Sequence, residues 1–176
     1  MIRYYVTDRR QGDVLACARH AIAAGVDMIQ IREKDLPARE LLEFVCGVRD
    51  LAVGTQTRIL VNDRMDVAIA AGIDGVHLPA NGLPPVSVRP HVKVMGVSTH
   101  TLQEAIRAER AGSDFVVFGP VFDTPGKTAV GLEALREVTS QVLIPVLAIG
   151  GISLKTTDQV LAAGAAGIAG IRLFQT

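Results

Sequence analysis

The chain has 176 residues, 18 Lys+Arg against 18 Asp+Glu, 49% hydrophobic residues and 17 glycines. This length suits one domain over residues 1–176, which buries ~70% of its unfolded surface and needs no disulfide or metal to fold. Zero net charge, 4% aromatic residues and no Trp argue against nucleic-acid partners, which call for a basic excess and stacking rings.

The N-terminal residues Met1-Ile2-Arg3-Tyr4-Tyr5-Val6-Thr7-Asp8-Arg9-Arg10 contain no apolar signal core. No apolar run reaches the ~20 residues of a membrane span. A soluble, cytoplasmic protein without a membrane partner is expected. Cys17 and Cys46 lack metal-ligand spacing and sit among apolar helical neighbours. They read as buried, inert thiols.

One pattern recurs along the chain: Ala23-Ala24-Gly25-Val26-Asp27, Ala70-Ala71-Gly72-Ile73-Asp74, Ala111-Gly112-Ser113-Asp114 and Ala162-Ala163-Gly164-Ala165-Ala166. Each joins a helical stretch to a short apolar run. Glycine past a helix end adopts the left-handed conformation that closes it. The repeated unit is therefore helix, glycine cap, buried strand.

In chain order the expected strands are Arg3–Thr7, Met28–Arg32, Arg58–Val61, Gly75–His77, Lys93–Val97, Phe115–Gly119, Pro145–Ile149 and Gly167–Arg172. Their apolar runs lack strict alternation, as in parallel strands covered on both faces. Between them, Val14, Ala18, Ala21 and Ile22 line one helical face, and Leu41, Val45, Val48 and Ala52 another. Leu102, Ala105 and Ile106 form a third face, opened by a capping box of Thr101 and Glu104. The prolines after His77 leave room only for a short fourth helix, and the last helix is nearly absent.

Dividing 176 residues by eight gives 22 per strand–helix unit. That fits a compact (β/α)8 barrel, trimmed from the usual ~250 residues. An open doubly wound sheet would need fewer strands, and no dinucleotide fingerprint follows the first strand. With so little of an eighth helix, apolar faces are left uncovered and a homo-oligomer is expected.

Chemistry in such a barrel sits at the C-terminal ends of the strands. Gln30, Arg32 and Lys34 share one face at the end of the second strand. Asp63, after the third, suits a metal or the cap of the next helix. His77 and His100 end or follow the fourth and fifth strands. The sixth runs into a long loop, residues 119–127, carrying Thr124 and Lys127. Glycines after the last two strands, Gly150-Gly151 and Gly170-Ile171, let backbone amides approach a phosphate.

Together these residues resemble the thiamine phosphate synthase/TenI family over nearly the whole chain. The most specific pieces are Gln30-Ile31-Arg32-Glu33-Lys34, Val61-Asn62-Asp63-Arg64, Gly75-Val76-His77, Gly96-Val97-Ser98-Thr99-His100, Gly119-Pro120-Val121-Phe122 and Ala148-Ile149-Gly150-Gly151-Ile152. The resemblance implies a barrel enzyme of vitamin B1 synthesis acting on a phosphorylated small molecule. In a synthase, Gln30, Arg32, Lys34, Asn62 and Lys127 would face a hydroxymethylpyrimidine diphosphate, with Mg²⁺ on Asp63. Gly150, Gly151, Gly170 and Ile171 would hold a thiazole phosphate.

Two departures from the synthase pattern matter. His77-Leu78-Pro79-Ala80-Asn81-Gly82 replaces a G-Q-x-D segment that carries a second metal carboxylate. Thr124-Pro125-Gly126-Lys127 replaces T-x-T-K. The expected function is therefore a TenI-like thiazole tautomerase needing no cofactor. His100 would transfer the proton, Arg32 or Lys127 would hold the carboxylate, and Thr124 would help bind substrate. The alternative is thiamine phosphate synthase with Mg²⁺, and a further alternative is a non-catalytic binder or regulator of thiamine intermediates.

Overall fold

The computed structural model describes residues 1–175. Its strands are β1 (Ile2–Val6), β2 (Met28–Ile31), β3 (Arg58–Asn62), β4 (Gly75–Leu78), β5 (Val94–Thr99), β6 (Phe115–Phe118), β7 (Val146–Ala148) and β8 (Gly167–Gly170). Between them lie α1 (Val14–Ala23), α2 (Ala38–Ala52), α3 (Met65–Ala71), α4 (Pro85–Val88), α5 (Leu102–Arg110), α6 (Gly131–Gln141) and α7 (Thr157–Ala162). A 3₁₀ turn, Arg172–Phe174, follows β8. The strands pair in chain order, all parallel, and β8 closes onto β1. Every strand lies within two residues of its expected bounds. No helix among the described residues is long and apolar enough to cross a membrane.

Closure sorts side chains by a period of two. Tyr5, Ile29, Ile31, Val61, Val76, Met95, Val116 and Phe118 point outward and pack under the helices with Val45, Val48 and Leu135. The expected stripes on α1 and α2 are this face; Ile22 is only partly covered. Cys17 and Cys46 are free but half-buried, so they border the core instead of lying within it. The capping box of Thr101 and Glu104 is present.

The repeated Ala-Gly-x-Asp segment has a use beyond ending helices. All four of its glycines have positive φ, as their cap role requires. The aspartates then reach sideways. The amide of Arg3 donates to Asp27 Oδ2 (2.7 Å), that of Ile59 to Asp74 Oδ2 (2.9 Å) and that of Met95 to Asp114 Oδ2 (2.7 Å). Each carboxylate precedes an even-numbered strand and holds the second residue of the odd-numbered strand beside it. Ala166 takes the aspartate's place in the fourth copy and offers no such bond. These contacts tie the bottom of the barrel in pairs of strands.

The inward-facing positions form a separate plug of Tyr4, Met28, Leu60, Val94, Phe115, Val117, Leu147 and Ala169. Gly96 makes the plug possible: a Cβ there would lie 2.3 Å from the Phe115 ring. Phe115 fills that space and meets Tyr4 edge-on, with ring centroids 5.4 Å apart. His77 sits on top of this pair, fully buried. Burial, with a smaller contribution from the Arg32 charge, pushes the His77 imidazole down from its ordinary value to about 3.

Two outcomes follow. Asp74→Ala strands the Ile59 amide and should destabilise the fold by about 1–2 kcal/mol in chemical denaturation; an unchanged midpoint would show that water replaces the carboxylate at no cost. For His77, the unfolded chain takes up a proton near pH ~6.5 that the native state refuses until about 3. Between these values the unfolded state binds more protons, so native stability rises with pH and this contribution levels off above ~6.5. Urea midpoints measured across that window should have a smaller slope in His77→Gln, and an equal slope would contradict the assignment.

Candidate active site

The C-terminal ends of the strands open into a cavity of about 530 Å³. Its walls include Gln30, Arg32, Lys34, Asn62, His77, Ser98, His100, Thr124, Lys127, Gly150 and Ile171. The structure thus brings together most of the residues expected to act. Gly151 and Gly170 lie beside this lining without joining it.

β2 supplies the cationic wall. Gln30 continues the inward phase of the strand and is buried, Arg32 is half-buried and Lys34 exposed. The intervening Glu33 is buried, and its role is not evident from the sequence. Thr7 Oγ1 donates to Glu33 Oε1 (2.6 Å), and the Arg9 amide donates to both carboxylate oxygens (3.1 and 3.2 Å). The Arg32 amide donates to Thr7 Oγ1 (3.0 Å). Glu33 therefore fixes the backbone that presents Arg32. Among the described ion pairs, none includes Arg32, Lys34 or Lys127. Three unpaired cations on one cavity attract an anion.

Lys127 arrives from the β6–α6 loop. A backbone bridge between Thr124 and Lys127 folds this segment into a small hairpin, with the Lys127 amide donating to the Thr124 carbonyl (3.0 Å). The Ala129 amide donates to Asp123 Oδ1 (3.0 Å) and steadies its base. At the other side of the ring, Gly150 and Gly151 have φ of 94° and 65°. A Cβ on Gly150 would meet Pro120 at 2.4 Å, and one on Gly151 would meet Phe122 at 2.7 Å. Only glycine allows both the turn and the contact with the β6 loop. Their amides have no acceptor among the described hydrogen bonds and remain available to a phosphate.

The middle of the cavity is polar and neutral. Gln30 Nε2 lies 3.1 Å from Tyr4 Oη, Tyr4 Oη lies 3.2 Å from His77 Nδ1, and His77 Nε2 lies 2.8 Å from Ser98 Oγ. Tyr4 is wholly buried, which pushes its phenol above the ordinary tyrosine value. His100 is exposed on the rim, and its Nδ1 is 2.5 Å from the Gly119 carbonyl. That carbonyl accepts, so Nδ1 carries a proton and Nε2 is the nitrogen left for proton transfer.

Asp63 departs from both of its expected settings. It does not cap α3, whose first turn has no side-chain cap. It is the one non-glycine residue among those described with positive φ, 64°. It also lies outside the main cavity, in an adjoining one of about 350 Å³ with Glu33, Arg64 and Asn81. Lys34, Asn62, Pro79 and Asn81 line both. Gly82 approaches so closely that a Cβ on it would be 2.9 Å from Asp63 Oδ1. The described residues contain no group of three or more His, Cys, Asp or Glu placed to hold a metal. Glu33 in that cavity is already held by Thr7 and the Arg9 amide, so Asp63 with the neighbouring amides of Asn62 and Asn81 is the set left for a cation, and it suits Mg²⁺ that keeps most of its waters.

A family model described as thiamine monophosphate synthase matches residues 3–174. A putative thiamine-phosphate synthase of Geobacter sulfurreducens is 46% identical, over 94% of this chain and 83% of that protein. A thiamine-phosphate synthase of Methanoculleus marisnigri is 42% identical with the same coverage. A solved thiamine phosphate pyrophosphorylase from Pyrococcus furiosus superposes with a TM-score of 0.90 at 38% identity, covering 97% of this chain and 85% of that one. With the barrel closed and the strand-end residues in place, these matches establish that the chain belongs to the thiamine monophosphate synthase family.

Proposed function

We propose that the chain is a thiamine-phosphate synthase, coupling hydroxymethylpyrimidine diphosphate to thiazole phosphate with release of diphosphate. The observation that carries this is that two groups suited to anions line one cavity. Unpaired Arg32, Lys34 and Lys127 would form one, and the free amides of Gly150 and Gly151 after β7, beside Ile171 after β8, the other. In the closed ring β1 separates β8 from β2, which carries Arg32 and Lys34, while Lys127 reaches the cavity from the loop after β6, next to β7. A coupling enzyme must hold two phosphorylated rings at once, which two such regions allow. The relatives' names also favour coupling over the isomerisation expected from the sequence, and reverse that order.

In the coupling, the bond from the pyrimidine methylene carbon to the diphosphate oxygen breaks, and the thiazole nitrogen lone pair forms a bond to that carbon. The quaternary nitrogen that results requires no proton transfer. Arg32 and Lys127 stabilise charge building on the diphosphate, and the buried Gln30 and His77 with half-buried Ser98 keep the reacting rings in a neutral polar slot. Asp63, with Asn62 and Asn81, would hold Mg²⁺, which when bound adds further neutralisation of the leaving group.

A tautomerase remains the second reading. Gly82 against Asp63 leaves one carboxylate where a metal would be held, and His100 has a nitrogen free for proton transfer. A non-catalytic binder would hold both phosphorylated rings without turnover.

The test is product analysis with both substrates and Mg²⁺. Thiamine phosphate and diphosphate should form in equal amounts. Arg32→Gln and Lys127→Ala should each lower kcat/KM by about 10²-fold, and Asp63→Asn should raise the Mg²⁺ concentration needed for half-maximal rate. Isomerisation of a thiazole phosphate carboxylate without any coupling would replace this reading by the tautomerase, with His100→Asn then lowering that rate by ~10²–10⁴-fold. Binding of both substrates with neither product would make the protein a binder.

A further inference from the structure

We propose that Tyr4 is a positioning residue that sets the direction of a buried chain of hydrogen bonds, so that Ser98 offers its hydroxyl hydrogen, and not a lone pair, to the cavity. The direction can be followed donor by donor. Gln30 Nε2 is an amide nitrogen and only donates, so Tyr4 Oη accepts from it at 3.1 Å. The phenol has one hydrogen, and the remaining neighbour within reach is His77 Nδ1 at 3.2 Å. Nδ1 therefore accepts and carries no proton.

A neutral imidazole must hold its proton on the other nitrogen. The charged form would turn a second N–H against the phenol hydrogen, among the packed rings of Tyr4 and Phe115. His77 Nε2–H then donates to Ser98 Oγ at 2.8 Å. With one lone pair of Ser98 used, its own hydrogen is left for the cavity that it lines. The Tyr4–His77 link is enclosed by packed rings: Phe115 lies against both. Tyr4 never touches the cavity, yet it decides what Ser98 presents there.

A fixed donor in an otherwise neutral part of the wall selects a hydrogen-bond acceptor. On the coupling reading above, that acceptor is an unprotonated ring nitrogen of a heteroaromatic substrate. A ring bearing N–H at that position would face a donor with a donor and be rejected.

The test reads the tautomer directly. Protein labelled with ¹⁵N-histidine gives two-bond proton–nitrogen correlations that distinguish a protonated ring nitrogen from a bare one, and His77→Gln identifies the His77 signals. The proposal expects a neutral His77 with Nε2 protonated, unchanged down to about pH 5. Tyr4→Phe removes the donor to Nδ1 and should yield mixed tautomers. A protonated Nδ1 in the wild type, an imidazolium near pH ~6, or an unchanged tautomer in Tyr4→Phe would each overturn the proposal. If Tyr4→Phe fails to fold, the wild-type tautomer decides alone. In calorimetry, Ser98→Ala should weaken hydroxymethylpyrimidine diphosphate or thiazole phosphate by about 3–10-fold. The compound that weakens shows which ring the hydroxyl meets, and no change for either would remove Ser98's role. The tautomer needs no substrate, so failure of the coupling assay leaves this result standing.

Discussion

Closing eight parallel strands into one ring leaves alternate side chains with no destination but the interior. That interior is too narrow for side chains of arbitrary size at every level. Gly96 yields its space to Phe115, and Phe115 with Tyr4 blocks the lower barrel. The plug sets a floor, so anything bound from above stops at His77 and Ser98. The depth of the cavity, the neutrality of its base and the placement of charge around its rim all depend on that floor.

Polar groups divide accordingly. Those in the interior, Tyr4, Gln30 and His77, satisfy one another and stay uncharged, because an unpaired charge at that depth would cost several kcal/mol. Charged groups occur where the strands give way to loops. Glu33 shows the exception: it is buried and is held by the Thr7 hydroxyl and the Arg9 amide. Its structural work leaves Arg32 free to face the cavity without a partner. Asp63 lies apart, in the adjoining cavity that meets the main one at Lys34 and Asn62. A metal there would touch substrate only where the two spaces join.

What could be read in the sequence was what depends on neighbours along the chain. The glycine-capped repeat, the apolar runs after it and the capping box of Thr101 and Glu104 are local signals, and they locate the four even-numbered strands and the start of α5; the odd-numbered strands show as apolar runs of their own. Gln30, Arg32 and Lys34 are visible through a period of two. What escaped depends on closure. Tyr4 and His77 are 73 positions apart and meet because β1 and β4 share an interior. Glu33 reads as one charge among several until Thr7 is beside it. The lateral reach of Asp27, Asp74 and Asp114 needs the neighbouring strand's register. Asp63 was ambiguous because a metal ligand and a helix cap use the same residue type at the same place. In the fold it takes a positive φ one residue before the cap position, and no side chain caps α3, neither of which spacing reveals.

The central claim is that one cavity has two anion-binding regions, one of side-chain cations and one of backbone amides, with a neutral slot between them. A crystal structure with thiamine phosphate and diphosphate bound tests it most directly. The account predicts the product's phosphate on the amides of Gly150, Gly151 and Ile171. It places diphosphate among Arg32, Lys34 and Lys127, with the rings of the product over Ser98 and His77. Both anions on the same set of residues, or a product lying outside the slot, would contradict it.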